Sequence, residues 1–314
     1  MMVKICENQC LVEGKLIKIL RIDAEGYDYI DDPLAALGEI RARRTKADLF
    51  TFVQRPSEPV AKFSYYRESD NFACLKISSY DQWLGQQIDF RVRNKVRKAA
   101  KAGVTVREVN FDEDLVKGIS AIYNETSVRQ GKPFWHYQKA IDEVRNMNAT
   151  FLSRSIFIGA FLGDELIGFI KMVMSKDHTL AGLMQIVSLV SQRDKAPTNA
   201  LLAQAVKSCE DRGIRNLLYA NFSYGNKQSD GLAEFKRNNG FEKIDVPRYY
   251  VPLTVMGRVA LRFGLHHELK SMVPESVASP YRKLRSAWYS KKAGEAGVLV
   301  NAQQHGAKTG NSST

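Results

Sequence analysis

Residues 180–219 constrain the fold of this chain more than any other stretch. TLAGLMQIVSLV is an apolar run of strand character, and SQRDKAP is a polar loop. TNALLAQAVKSCEDRG then reads as an amphipathic helix, with Pro197 near its start and Gly213 past its end. RNLLYANFS returns as a strand. A strand, a crossover helix and a second strand put the two strands parallel and side by side. The spacing therefore predicts an α/β chain. Its loop meets the N-terminus of the helix, where free backbone N–H groups and the helix dipole suit an anion.

The flanking patterns extend the unit. SIFIGAFL and LIGFIKMVMS surround Gly163-Asp164, a strong hairpin signal. Asp112 opens a helix to about Arg129, and FWHYQKAIDEVRNM predicts another. Tyr80 to Gly103 reads as one helix, followed by the strand VTVREV. Downstream, GLAEFKRNNG predicts a short helix ending at Gly240, and FEKIDV and RYYVPLT predict two closing strands. Upstream, LIKILRI and FTFVQRP read as strands, and KFSYYRESDNFACLKISSY as a hairpin turning at Glu68-Ser69-Asp70-Asn71. The organisation expected is a strand-rich region over 1–80, an α/β domain over 81–254, a basic amphipathic tail over 255–292 and disorder over 293–314.

Charge is concentrated. Arg91 to Arg107 holds seven basic residues and no acidic one, and Arg248 to Lys292 holds nine against Glu268 and Glu275. These two segments exceed the whole formal net charge of +12, so the remainder is slightly acidic. Local excess of this kind points to a solvated helix face or to an anionic partner: a phosphate-bearing ligand, nucleic acid or an acidic membrane. No run approaches the ~20 apolar residues of a spanning helix. The first residues, MMVKICENQCLVEGK, lack the apolar core of a secretory signal, and four scattered cysteines do not make a disulfide scaffold. A cytoplasmic protein is expected, with peripheral contact at the inner face of the membrane as an option through the tail.

APTNALLAQAVKSCEDRGIRNLLYANFS followed by GLAEFKRNNGF resembles the GNAT acyltransferase superfamily, and within it the Fem-type and polysaccharide-locus branch. RVRNKVRKAAKAGVTVRE resembles the Arg-rich helix and strand of that branch. The resemblance spans roughly 80–253. It implies a GNAT-like acyltransferase fold, a mixed central sheet flanked by helices, to which this chain adds the N-terminal strands and the basic helical tail. It further implies an N-acyltransferase acting on an amine of an amino sugar or a cell-envelope precursor, with acyl-CoA or aminoacyl-tRNA as donor. The acceptor would be a small molecule, a nucleotide sugar or a lipid-linked sugar.

By that resemblance the loop Gln192, Arg193, Lys195 with Thr198 and Asn199 would hold donor phosphate, and Asn221 on the second strand would line the slot. The usual glycines of the phosphate loop are missing here, so Arg193 and Lys195 would supply charge in place of close backbone approach. Where many GNAT enzymes have a proton-donating tyrosine this chain has Phe235, which leaves Lys236 as the catalytic candidate that steadies developing negative charge. Tyr224 and Asp230 are candidates for the proton transfers. Arg91, Arg97 and Lys98 would face an anionic acceptor, with Trp135 and Gln185 as further substrate contacts.

No metal is expected, because Cys6-x₃-Cys10 has no second pair or His spacing to complete a four-ligand zinc site, and His266-His267 lies in the basic tail. The rival reading is a catalytically inactive shell that uses its basic faces to hold nucleic acid or anionic membrane.

Overall fold

The computed structural model describes residues 1–58, 60–223 and 231–267. It opens with strands β1 (Met2–Ile5), β2 (Asn8–Glu13) and β3 (Ile19–Ile22), helix α1 (Pro33–Ala42), and strands β4 (Leu49–Val53) and β5 (Tyr66–Lys76). A single turn, α2 (Tyr80–Gln82), passes into a π-turn and is followed by α3 (Phe90–Lys101), β6 (Val104–Val109) and α4 (Glu113–Asn124). A minimal hairpin, β7 (Val128–Arg129) and β8 (Lys132–Pro133), precedes α5 (Ile141–Asn148). The succession then runs β9 (Ser155–Leu162), β10 (Glu165–Met174), β11 (Leu180–Ser188), α6 (Pro197–Asp211) and β12 (Asn216–Leu218). It closes with α7 (Gly231–Asn238), β13 (Glu242–Pro252) and α8 (Val255–Arg262). Most of the expected basic tail, and all of the stretch 293–314 expected to be disordered, lie outside the described residues.

Among the described residues eleven strands form one mixed sheet in the order β1-β2-β3-β4-β13-β5-β12-β11-β10-β9-β6. The chain is thus α/β with a large mixed sheet flanked by helices. β5 lies between β13 and β12, so strands from both sides of Tyr80 share this sheet.

α6 forms as its sequence requires. Pro197 is its first residue, and Leu201, Leu202, Ala205, Val206 and Cys209 are buried against the sheet. Gly168 on β10 lets it approach: a Cβ there would stand 3.1 Å from Leu201 Cδ1 and 2.9 Å from Ser188 Cβ. The hairpin of β9 and β10 turns at Gly163 with φ +59°, as its Gly-Asp pair predicts.

Four local predictions fail. The stretch 66–76 is one strand and not a hairpin, because Glu68 and Asp70 meet Arg248 and its neighbours across β13 instead of turning to solvent. The stretch 80–103 is not one helix. Asp89 accepts the Arg91 amide at 2.8 Å and starts α3 afresh, and Gly103 with φ +78° ends it. The two closing strands are one, β13, in which Pro247 lies one residue before pairing with β4 begins. Of the segment FWHYQKAIDEVRNM, only Ile141–Asn148 is helical. Among the described residues no helix is long and apolar enough to cross a membrane.

Candidate active site

β11 and β12 run parallel over three residue pairs only, Leu180 with Asn216, Ala181 with Leu217 and Gly182 with Leu218. Beyond Leu218 the chain bends at Ala220 (φ +46°) and follows β5: the Tyr219 amide donates to Ala73 O and the Ala73 amide to Ala220 O. The Ser223 amide continues this path by donating to Asn71 Oδ1. β11 meanwhile continues to Ser188 along β10, with Met184 bulged between the pairs Lys171–Gln185 and Met172–Leu183. The two strands therefore splay, and the edge of β11 after Gly182 faces a slot. Bulges of this kind aim side chains near sites.

A lysine lies deep against the chain that leaves β12. Lys236 on α7 is fully buried, donates from Nζ to the Asn221 carbonyl at 2.6 Å, and lies 4.7 Å from the Tyr219 ring centroid. Asn221 Nδ2 in turn donates to Asp70 Oδ1 at 3.1 Å. Asp70 is held by Arg248, whose guanidinium donates to Asp70 Oδ2 at 2.8 Å and to Glu25 Oε2 at 2.8 Å. Burial alone would depress the Arg248 pKa, but the two carboxylates outweigh it and hold the charge firmly in place.

Past Gly182, β11 carries a polar side chain among aromatic neighbours. Gln185 on β11 accepts from the Tyr123 hydroxyl at 2.8 Å. Buried Tyr123 stacks on His136 at 4.2 Å, and His136 packs against Trp135 at 3.9 Å, which leaves Trp135 66% exposed. Burial, reinforced by Lys139 and Arg129, lowers the His136 pKa to about 4, so its ring is neutral near pH 7. Lys171, opposite Gln185 on β10, is fully buried, and its Nζ donates to Asn148 O (2.9 Å), Thr150 O (2.6 Å) and Thr150 Oγ1 (2.8 Å). Desolvation lowers it to about 8.

The loop between β11 and α6 is closed by the protein itself. Glu125, just past α4, accepts the Val190 amide at 2.6 Å and both the amide and hydroxyl of Ser191 at 2.8 Å. Arg129 pairs with Glu125 at 3.2 Å and donates to Ser188 O at 2.7 Å. The amides of Arg193, Lys195 and Ala196 are taken by carbonyls within the turn, and Pro197 has none. Arg193 is exposed, Lys195 pairs with Asp194 at 3.7 Å, Thr198 shares a hydrogen bond with Ser188, and Asn199 is buried. Gln192 places a buried Oε1 that has no partner among the described residues.

α3 links the two ends of this arrangement. Its cap Asp89 donates its amide to Asn238 O at the end of α7, and Val92 and Ala99 are buried beneath it, against the sheet and α6. Arg91, Lys95, Arg97, Lys98 and Lys101 are exposed along it, Arg91 being paired with Asp89. Arg93 is different: it donates to the Leu84 and Gly85 carbonyls and fixes the π-turn.

The structure thus brings Lys236 and Asn221 together, and carries Gln185 on β11 past the point where that strand leaves β12. Trp135 stands at the edge, and Arg91, Arg97 and Lys98 on the neighbouring helix. Tyr224 and Asp230 lie outside the described residues. Sequence reasoning missed Glu125, Tyr123 and Lys171, since nothing in a helix terminus or an apolar strand announces which loop it will meet. It also missed the acid beside His266 and His267, which is Glu68 on β5. A cleft of about 410 Å³ lined by Arg55, Asp177, Thr179 and Asn216 lies at the opposite end of β11, away from the slot.

No family model and no curated protein matches the sequence. Solved structures do match. FemX superposes with a TM-score of 0.59 at 12% identity, over 82% of this chain and 86% of that one. The DUF2156 domain from Agrobacterium fabrum, the C-terminal domain of a protein described as a lysylphosphatidylglycerol synthetase, gives 0.56 at 10% identity over 83% and 86%. L-PGS from Bacillus licheniformis gives 0.54 at 9% identity over 83% and 86%. The likeness is one of fold, and it agrees with the Fem-type, GNAT-like architecture that the sequence motifs resemble.

Proposed function

We propose that this chain is an acyltransferase that moves an aminoacyl group from a transfer-RNA ester to an amine, on an amino sugar or another cell-envelope precursor. The parting of β11 from β12 past Gly182, with Lys236 buried against the Asn221 carbonyl just beyond β12, carries this reading. An ester carbonyl lying in the slot meets a positive charge that water does not screen, and that charge stabilises the oxyanion of the tetrahedral intermediate. The acceptor nitrogen forms the new C–N bond, the ester C–O bond breaks, and the proton lost by the amine is taken up by the departing hydroxyl oxygen. Gln185, fixed by Tyr123, offers its amide to the incoming group.

The loop argues against acyl-CoA as the donor. A pyrophosphate needs the loop amides, and the Glu125 carboxylate already holds those of Val190 and Ser191, placing negative charge where phosphate would sit. The exposed cations of α3, Arg97 and Lys98 among them, suit a polyanionic donor that spreads over the surface instead. The Agrobacterium fabrum neighbour, as a lysylphosphatidylglycerol synthetase domain, is in keeping with aminoacyl transfer. Peripheral lipid contact is supported by α8, where Val255, Met256, Val259 and Phe263 are exposed beside Arg258 and Arg262.

The test is thermal unfolding of the full chain with aminoacyl-tRNA, with uncharged tRNA and with acetyl-CoA. A ligand at 100 times its dissociation constant adds about 2.7 kcal/mol, which a melt resolves. Stabilisation by aminoacyl-tRNA and none by acetyl-CoA is expected. Stabilisation by acetyl-CoA alone overturns the donor assignment. Equal stabilisation by charged and uncharged tRNA, with no turnover of the ester, favours the nucleic-acid-binding shell.

A further inference from the structure

Where β5 meets the segment after α8, three side chains with metal-binding chemistry converge. His266 Nε2 lies 2.9 Å and His267 Nε2 3.1 Å from the same oxygen, Oε1 of Glu68. One ligand atom from each residue lies within 4.8 Å of the others. Glu68 comes from β5, whereas the two histidines follow α8, so nearly two hundred residues of chain are folded to bring them together. We infer that Glu68, His266 and His267 form a binding site for one divalent transition-metal ion of the zinc class.

The geometry is close to what such an ion requires. Zn–N and Zn–O bonds of about 2.0–2.2 Å at tetrahedral angles put neighbouring ligand atoms about 3.3 Å apart. The two N···O separations already fall within a few tenths of an ångström of that edge, so small side-chain rotations admit an ion between them. Two imidazoles and one carboxylate select zinc, cobalt or nickel over magnesium or calcium, which prefer all-oxygen shells. The fourth position goes to water, since the His267 side chain is 40% exposed and opens the site to solvent.

The surroundings hold the ligands in place. The His266 side chain is 1% exposed and meets the Tyr250 ring at 4.7 Å and the Tyr66 ring at 6.0 Å. His267 packs on it at 4.0 Å between centroids. Glu68 stands two residues from Asp70 on the same face of β5, so the ion would tie the segment after α8 to the strand that supports Asn221.

The experiment uses the full untagged chain, stripped with chelator and titrated with Zn²⁺ by calorimetry and with Co²⁺ by visible absorption. One ion per chain is expected, with the strong visible bands of four-coordinate cobalt. Glu68→Gln and His267→Asn should each weaken binding at least tenfold, while His178→Asn, at an exposed turn, should leave it unchanged. His267 is half exposed, so its variant keeps the test valid even if changes at buried His266 impair folding. Absence of binding by the wild-type chain at about 0.1 mM Zn²⁺, an affinity of only ~5 kcal/mol, overturns the assignment. So does binding of equal strength in both variants.

Discussion

Ser191 donates both its backbone N–H and its hydroxyl to a single oxygen of Glu125, each at 2.8 Å. A carboxylate from the end of α4 thereby occupies the amide cradle that precedes α6, and the loop is fixed before any ligand arrives.

That relationship predicts an acid-labile loop. Burial raises the Glu125 pKa, but the Ser191 and Val190 amides, the Ser191 hydroxyl and Arg129 outweigh it, so the folded-state value lies below the ordinary 4.5. The stabilisation is therefore present above about pH 4.5 and is lost as pH falls through the lower folded value. Glu125→Ala should cost about 2–3 kcal/mol at pH 7, the scale of charge-assisted hydrogen bonds left unmade. Urea denaturation at pH 7 and pH 4 checks this: the gap between wild type and variant should narrow at the lower pH.

Lys236 should matter for rate rather than for fold. Lys236→Met keeps the volume and removes the charge, and turnover of aminoacyl-tRNA should drop roughly 10²–10³-fold, the range seen for a lost oxyanion donor. Initial rates and a circular-dichroism spectrum of the same sample decide it. An unchanged rate in a folded variant removes Lys236 from the chemistry.

The cationic strip of α3 should set donor affinity. Arg97→Glu and Lys98→Glu touch no core residue, so stability should move by less than about 0.5 kcal/mol. Binding to tRNA should weaken, and each lost phosphate contact should flatten the slope of log K against log salt by about one. Filter binding across a salt series measures both.

Arg248 links Glu25 and Asp70 in a pocket that leaves each of the three side chains no more than 17% exposed. Arg248→Met leaves two carboxylates facing each other without a counter-charge, a change expected to cost about 3–5 kcal/mol. Chemical denaturation should show that loss, and removal of both carboxylates along with the arginine should recover part of it.

His136 gives a second pH signature. Its folded pKa of about 4 lies below the 6.5 of the free imidazole. Its contribution is therefore fully present above pH 6.5 and is lost as pH falls from 6.5 towards 4. The melting temperature of the wild type should decline through that window more steeply than that of His136→Phe.

Much of this molecule was readable from its residues. The Gly163-Asp164 hairpin, the helix from Pro197 to the turn at Gly213, and the parallel return at Asn216–Leu218 all rest on local signals: turn chemistry, capping and hydrophobic period. These are written into a few adjacent residues, so the sequence alone determined the α/β class and the parallel pairing of β11 with β12. What only the tertiary structure decided involves partners distant in the chain. Glu68 and Asp70 look like a turn until Arg248 is placed across from them, and Glu125 reads as one more helix residue until the 190–191 amides reach it. Nothing in the residues around His266 and His267 points to Glu68, which the sheet brings to them from β5. Charges and polar groups take their meaning from what burial brings within hydrogen-bond distance, and that is a property of the folded chain rather than of any window along it.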